Sequence, residues 1–206
     1  GSPAVAKNVI ATGASQNERF DLPLPDFAIY DSGRDAMADF SSRGPCEDGR
    51  IKPDIVAPGT WIASLRSIYA DDNNAWWPIS QNYMYQGGTS QAGPHVSGAA
   101  AVFVQYWRAG HTGVTPSPAL TKAALINSAT DMDDFVETDA APNADEGWGR
   151  VDLPGLIASS RSYDFVDQSV SLTNSAVYEK RILIGGAEEE LKITLAYTDV
   201  PGSPAA

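Results

Sequence analysis

The sequence predicts an α/β fold followed by the first antiparallel strands of a second domain. Residues 4–14 indicate a buried strand, and the short apolar runs of residues 51–65, broken by proline and glycine, are typical of strands and turns in a mixed sheet. A nearly uncharged, small-residue segment over 89–108 predicts a buried helix, for which Gly110 is a natural stop. Ser117 followed by proline predicts the N-cap of a second helix.

The sequence pattern changes near residue 160. From there on, apolar and polar residues alternate within short segments, most clearly in the segment LKITLAYTD at 191–199. A period of two is the pattern of half-buried antiparallel strands. We therefore place a domain boundary near Ser160, with one unit over 1–160 and a second over 161–206. Three strands cannot close a sandwich or barrel, so the second unit is expected to be incomplete.

Composition excludes several classes of function. The 206 residues carry 14 Lys and Arg against 26 Asp and Glu, a formal net charge of -12, so nucleic acid is not an expected partner. No run of 18 apolar residues is present, which excludes a spanning helix and leaves no membrane partner to expect. A single cysteine, Cys46, excludes a cysteine zinc cluster and an internal disulfide.

Seven acidic residues without any Lys or Arg crowd the stretch from Asp131 to Glu146. The stretch contains Pro142 and Asn143 and no apolar period, so we interpret it as a solvated loop. A calcium site is the functional alternative, because hard cations take clustered carboxylates. The spacing does not fit the EF-hand loop. The seven are Asp131, Asp133, Asp134, Glu137, Asp139, Asp145 and Glu146.

A candidate nucleophile stands in the segment Gly87-Gly88-Thr89-Ser90-Gln91-Ala92. Its glycine-rich turn leads into the predicted helix, so a substrate backbone can approach the hydroxyl of Ser90 closely. The N-terminus of a helix also offers unpaired N–H groups and a positive potential to an oxyanion. From these six residues alone, an ordinary N-cap serine is the commoner interpretation.

Two longer blocks change that balance. The segment GGTSQAGPHVSGAAAV, preceded by FSSRGPCEDGRIKPDIVAPGTWI, closely resembles the subtilisin-like serine proteases, or subtilases. Further matches are NVIATGA, LTKAALINSAT and GWGRVDL, so the resemblance spans nearly all of residues 1–157. It implies a partial parallel-sheet, three-layer core. The pattern is most similar to large alkaline subtilases, in which a β-sandwich follows the catalytic domain, and this would account for the strand-rich tail.

The resemblance assigns roles to the residues of this turn. Ser90 would be the nucleophile of a serine endopeptidase acting on polypeptides, and its backbone N–H would be one oxyanion-hole donor. Gly88 and Thr89 would line the oxyanion and substrate pocket together with Ser90. Gln91 stands where the family commonly has Met, and we expect altered packing or resistance to oxidation there, without loss of catalysis.

The first residues would border the substrate pocket. Gly1-Ser2-Pro3 matches a short turn that follows the oxyanion-hole asparagine of the family and borders the pocket for the side chain before the cut. The peptide bond before Pro3 is a candidate for the cis form.

Neither histidine occupies the position of a catalytic base. His95, in the family's Pro94-His95-Val96 segment, would be structural and packed behind the nucleophile. Its place five residues along the helix from Ser90 agrees, because such a side chain lies well round the helix. His111 follows the end of that helix and should lie far from the nucleophile.

An apparent match to the catalytic aspartate is rejected. Asp31-Ser32-Gly33 fits the family's Asp-(Ser/Thr)-Gly pattern, but Asp31 lies in a polar loop after the matched NVIATGA strand and no His-Gly-Thr-His block follows it. The resemblance therefore implies that the catalytic Asp, His and oxyanion Asn belong to an upstream companion segment. It also implies a secreted or extracytoplasmic protein.

The chemistry needs no cofactor, although a structural calcium ion is compatible with the resemblance. A weak cation site would use carbonyls of residues 4–9 with Asp54, and the simpler interpretation is that Asp54 orders its own Lys-Pro-Asp turn. Cys46 has no basic neighbour of the kind that activates a thiol, so a structural role is expected, with a bridge to another segment as the alternative. Trp76, Trp77 and residues 83–85 could shape a substrate groove or simply pack together.

Two other hypotheses stay open at this stage. The chain could be a non-catalytic subtilase-like module in which the turn and helix serve only as scaffold. An α/β-hydrolase esterase would need Gly-x-Ser-x-Gly, where this sequence has Ala92, and a late catalytic histidine, for which only His111 is available.

Overall fold

The computed structural model describes residues 1–19, 33–71, 76–132, 140–158, 161–169, 173, 175–186 and 191–199. Two short parallel strands, β1 (Thr12–Ser15) and β2 (Ile55–Pro58), pair in register with Thr12 opposite Ile55. The backbone of Val56 in β2 also forms hydrogen bonds with residues 149 and 151. This single parallel bridge adds one more segment to the sheet. The predicted α/β class with a parallel sheet is confirmed.

A second, antiparallel sheet precedes the main helix. Its strands are β3 (Ile62–Leu65), β4 (Trp77–Pro78) and β5 (Tyr83–Gln86), and β5 lies in the middle. Because β5 ends at Gln86, this sheet delivers the chain directly to the turn that carries Ser90.

Three helices follow: α1 (Thr89–Gly110), α2 (Pro118–Ser128) and α3 (Leu153–Ile157). The predicted start of α2 is confirmed, since the Ser117 hydroxyl accepts a hydrogen bond from the backbone N–H of Leu120 at 2.9 Å. Helix α1 packs on both parallel strands, and α2 and α3 pack against it.

The prediction that α1 is buried holds for one face only. Its buried residues recur at helical spacing and pack against β1, β2 and α2; they are Ala92, Val96, Ala99, Phe103 and Trp107. The opposite face, with Pro94, His95, Val102 and Tyr106, is exposed. The low polarity of this helix therefore gives an exposed apolar face.

The predicted buried strand over 4–14 is shorter than expected. Residues 1–9 are exposed and form turns, and strand pairing begins only at Thr12, where β2 provides a partner. A strand without a neighbour leaves its backbone groups unpaired, which explains why the apolar residues before Thr12 do not extend β1.

No strand forms in the described part of 161–206, in contrast to the period-two prediction. Isolated strand segments need partners for their backbone groups, and these segments find side-chain anchors on the helices in their place. Phe165 packs against Phe103 and Trp107 of α1, and Asn127 of α2 donates to the Thr194 hydroxyl at 3.0 Å. The β-sandwich and the boundary near residue 160 stay predictions.

A buried ion cluster joins the two parallel strands to α2. One carboxylate oxygen of Asp54 accepts from the backbone N–H of Ala11 at 2.7 Å and from Lys52 Nζ at 2.6 Å. The other oxygen lies 2.8 Å from Lys122 Nζ, and Lys122 also donates to the carbonyl of Val9 at 2.9 Å. The Asp54 side chain is only 4% exposed, so its carboxylate oxygens depend on these partners for the hydrogen bonds that water cannot supply.

We expect Asp54→Asn to lower the free energy of unfolding by about 3 kcal/mol, because it leaves two partly buried ammonium groups without their anion. Urea denaturation of the natural protein measures the change. Asp48→Asn is the matched control: Asp48 pairs with Arg50 on the surface, and its loss should leave the midpoint nearly unchanged. Equal effects of the two substitutions would contradict this role for Asp54.

Candidate active site

Ser90 lies in the first turn of α1, two residues after Gly88, whose backbone conformation suits only glycine. The N-cap Gly88 has φ 146° and ψ 164°, a conformation that side-chain-bearing residues rarely adopt. Its N–H donates to the carbonyl of Gly59 at 2.7 Å, and its carbonyl accepts from Gln91 at 3.0 Å and Ala92 at 3.3 Å. Backbone hydrogen bonds thus connect Gly88 to the loop after β2 and to the first turn of α1.

A second glycine brings this turn against the parallel sheet. Gly59 follows β2, and its N–H donates to the carbonyl of Ser15 at the end of β1 at 2.9 Å. A Cβ atom on Gly59 would collide with Cβ of Ala14 and lie 2.9 Å from the carbonyl oxygen of Gly88. Ser90 therefore stands where the two parallel strands end, the edge at which α/β folds usually place their sites.

The side chains of Thr89 and Ser90 are exposed at this point. The first N–H groups of a helix have no partner within it, so the backbone donors of these residues remain available beside the hydroxyl of Ser90. An exposed hydroxyl next to free N–H groups and the positive end of a 22-residue helix is the arrangement that holds an oxyanion.

Both histidines lie away from the base position. His95 lies on the exposed face of α1, and its Nδ1 is 2.9 Å from the carbonyl oxygen of Gln91. Its expected packing behind the nucleophile stays a prediction. His111 stacks on Trp107 with ring centroids 3.7 Å apart and lies about 30 Å from Ser90 along the helix. This distance also removes the base that an esterase would need.

The predicted substrate-pocket turn is exposed. The Ser2–Pro3 peptide bond is cis, as predicted, and the carbonyl of Pro3 accepts from Ala6 at 3.0 Å. A shallow cavity of about 340 Å³ lies further along α1, and neither Ser2 nor Pro3 lines it. Its wall joins the start of β1 to the exposed face of α1; the lining residues are Ile10, Thr12, Gly93, Pro94, Val96, Ser97 and Ala100.

Aromatic rings cluster beside the nucleophile turn. Trp76 contacts Trp61 edge to face at a centroid distance of 5.1 Å, and Tyr85 lies 6.3 Å from Trp61. Phe40 completes the cluster at 6.1 Å from Trp76. The sequence pointed to Trp76 and Tyr85 and missed Trp61 and Phe40, although both lie inside the matched block that precedes the turn.

The candidate cation site at Asp54 is not supported by the geometry. Both of its carboxylate oxygens already face lysine ammonium groups, so the positive charge that a cation would bring is already present. Within the described ranges, no group of three or more His, Cys, Asp or Glu side chains could hold a metal ion. Asp31 and four of the seven clustered acidic residues lie outside those ranges.

Cys46 occupies a surface turn. Its N–H donates to the carbonyl of Arg50 and its own carbonyl accepts from Gly49, both at 2.9 Å, and the thiol is free and half-buried. Both the structural role and the bridge to another segment stay predictions.

The acidic stretch is not uniformly solvated, because Glu146 is buried. Its two carboxyl oxygens accept from the backbone N–H of Met132 at 3.0 Å and from Asn143 Nδ2 at 2.8 Å. Burial raises the pKa of Glu146 to about 7; these two hydrogen bonds oppose the rise, and the neighbouring Asp131 adds to it. Glu146 thus anchors the ends of the loop, a role that the charge count alone did not reveal.

Comparison with known proteins agrees with this geometry. Residues 1–149 match the model of the subtilase family (peptidase S8), so the chain belongs to that family. It is 31% identical over 187 residues to the serine protease/ABC transporter B family protein tagA of Dictyostelium discoideum, covering 80% of this chain and 10% of that protein. It is 41% identical over 106 residues to serine protease AprX of Bacillus subtilis, covering 50% of this chain and 22% of that protein.

Solved structures show the same fold. The CspB protease of Clostridium perfringens superposes with a TM-score of 0.51 at 28% identity, over 77% of this chain and 28% of that one. A lanthipeptide protease superposes with a TM-score of 0.55 at 18% identity and supports the fold alone. The chain thus spans between 10% and 44% of the length of these proteins.

The protonation of Glu146 makes stability depend on pH. Its pKa is about 7 in the folded protein against 4.5 as the ordinary value, so the folded state binds the proton more tightly. The contribution of Glu146 is full below about pH 4.5 and is lost as the pH rises to about 7. Asp131→Asn should weaken this dependence, since it removes the neighbouring negative charge while keeping an oxygen for the N–H of Ala141.

Urea denaturation at a series of pH values between 4 and 8 tests this prediction. Asp48→Asn changes the same charge at a residue that pairs with Arg50 and does not contact Glu146, so it should reproduce the wild-type slope. A slope unaffected by Asp131→Asn would show that the pair does not set the titration of Glu146.

Proposed function

We propose that this chain is the nucleophile-bearing part of a serine endopeptidase, with Ser90 as the catalytic residue. The observation that carries the proposal is the position of Ser90: an exposed hydroxyl in the first turn of α1, after a glycine turn locked to the end of the parallel sheet. Membership of the subtilase family and likeness to AprX and the CspB protease support it.

In the proposed reaction, Ser90 Oγ attacks the carbonyl carbon of a peptide bond. A histidine of an upstream segment takes the hydroxyl proton, and the backbone N–H of Ser90 stabilises the oxyanion together with an asparagine of that segment. The histidine then gives the proton to the leaving amine, which departs as an acyl-enzyme forms on Ser90. Water, deprotonated by the same histidine, hydrolyses that ester and regenerates the serine.

The companion segment is proposed because neither of the two histidines is available as the base for Ser90. His95 lies beside the carbonyl of Gln91, and His111 stacks on Trp107. Two features favour a segment that covers α1. The exposed face of this helix is made largely of small and apolar residues, and the cavity of about 340 Å³ runs beside it. Apolar surface of this kind is stabilised when another element packs on it. A catalytic unit completed in this way would act on polypeptides in a secreted or extracytoplasmic setting.

A non-catalytic module is the second candidate, and the same two histidines favour it. It differs from the first in one respect: a protein that lacks a base near Ser90 cannot form the acyl-enzyme. The two candidates are therefore separated by the reactivity of Ser90 in the natural, full-length polypeptide. The chemistry proposed here requires no cofactor, and a structural calcium ion remains compatible with it.

We expect a fluorophosphonate to label Ser90 of the full-length protein covalently, as shown by mass spectrometry of the Ser90 peptide. Ser90→Ala should abolish labelling and lower peptidase activity at least about 10³-fold, because the nucleophile is lost. His111→Gln should leave both unchanged. An unmodified Ser90 peptide in folded full-length protein would instead identify a non-catalytic module.

A further inference from the structure

The indole ring of Trp76 occupies the space beside Gly87, three residues before Ser90. A Cβ atom on Gly87 would collide with Cη2 and Cζ2 of this ring and would lie 2.6 Å from its Cε2. The ring edge therefore rests directly on the backbone of the residue that precedes the N-cap of α1. Only glycine leaves room for it.

The ring itself is held from several directions. The backbone N–H of Trp76 donates to the carbonyl of Tyr85 in β5 at 3.0 Å. Trp61, which is 8% exposed, meets the ring at an interplanar angle of 74°, and Phe40 meets it at 83°. Three separate segments of the chain thus fix one aromatic ring against one glycine.

The nucleophile turn needs such a support. Gly88 has no side-chain cap at the start of α1, and glycine restricts its own backbone less than any other residue. One side of the turn is held by the hydrogen bond from Gly88 to Gly59. The other side is bounded by the Trp76 ring at Gly87.

We propose that Trp76 is a positioning residue for Ser90: its indole ring fixes Gly87 and thereby the place of the Ser90 hydroxyl relative to its base. This inference rests on the proposed peptidase function. Trp76 is 36% exposed and lies outside the buried core, so its replacement removes less buried surface than that of a core residue. A displacement of about 1 Å at a reacting group can cost about 100-fold in rate.

The test compares variants of the full-length protein by three measurements: the rate of labelling by diisopropyl fluorophosphate, kcat and KM on one peptide substrate, and the thermal midpoint. Trp76→Ala should lower the labelling rate and kcat between about 10-fold and 100-fold, with KM changed less than about twofold. Trp76→Phe keeps a ring at Gly87 and should restore most of the rate. Tyr69→Ala, an aromatic residue that is 91% exposed before β4, is the matched control and should have no effect.

A comparison of single and double variants at Gly87 and Trp76 separates the loss of positioning from a simple failure to fold. Gly87→Ala alone should slow labelling, because its Cβ collides with the ring. Gly87→Ala combined with Trp76→Ala gives that Cβ room, so the double variant should react faster than the product of the two single effects predicts.

Three results would overturn the inference. Unchanged labelling of Trp76→Ala in an active protein would refute the positioning role alone. A raised KM with an unchanged labelling rate would make Trp76 a substrate contact. Absence of labelling in the unsubstituted protein would refute the proposed function, and the role of Trp76 with it.

Discussion

The close approach of two backbones at Gly59 and Gly88 is the constraint on which the structure around Ser90 depends. Because neither residue has a side chain, the end of β2 and the start of α1 come within hydrogen-bond distance at 2.7 Å. The buried face of α1 then lies along β1 and β2, and the core forms between them. This contact places the start of α1, and with it the exposed Ser90, at the ends of the parallel strands.

A second constraint is electrostatic and acts at the other end of the strands. The Asp54 carboxylate contacts the backbone N–H of Ala11, Lys52 just before β2, and Lys122 in α2. One buried carboxylate thus holds three segments of the chain together. In a chain with a net charge of -12, this cluster carries two positive charges for one negative charge. Two of the 14 Lys and Arg residues thus lie beside one buried carboxylate.

The local patterns of the sequence were sufficient for α1, for α2 and for the nucleophile turn, but not for the short helix α3. Ser117 followed by proline predicted the start of α2, and the two glycines before Thr89 predicted a tight turn into α1. Both features depend on residues adjacent in sequence, which is why pattern reasoning succeeds there. The subtilase resemblance of residues 1–157 was confirmed by the family match over 1–149.

The features that the sequence did not reveal depend on residues far apart in the chain. Lys122 contacts Asp54 although 68 positions of sequence separate them. Phe40 and Trp61 likewise contact Trp76 only in the folded chain. The alternation of apolar and polar residues after residue 160 is typical of strands, but a strand also needs a partner strand. Residues 191–199 contact helix α2 in place of one. His95 is exposed because its surroundings are decided by which face of α1 the sheet covers.

The contact of Lys7 and Asn8 with Asp199 has a consequence for what holds residues 191–199 in place. The two hydrogen bonds between Asn8 and Asp199 join residues separated by 191 positions. Closing so long a loop is entropically costly, and an exposed ion pair recovers little of that cost. The contact alone therefore cannot hold the tail, and the position of residues 191–199 depends on their hydrogen bonds to Asn127 in α2.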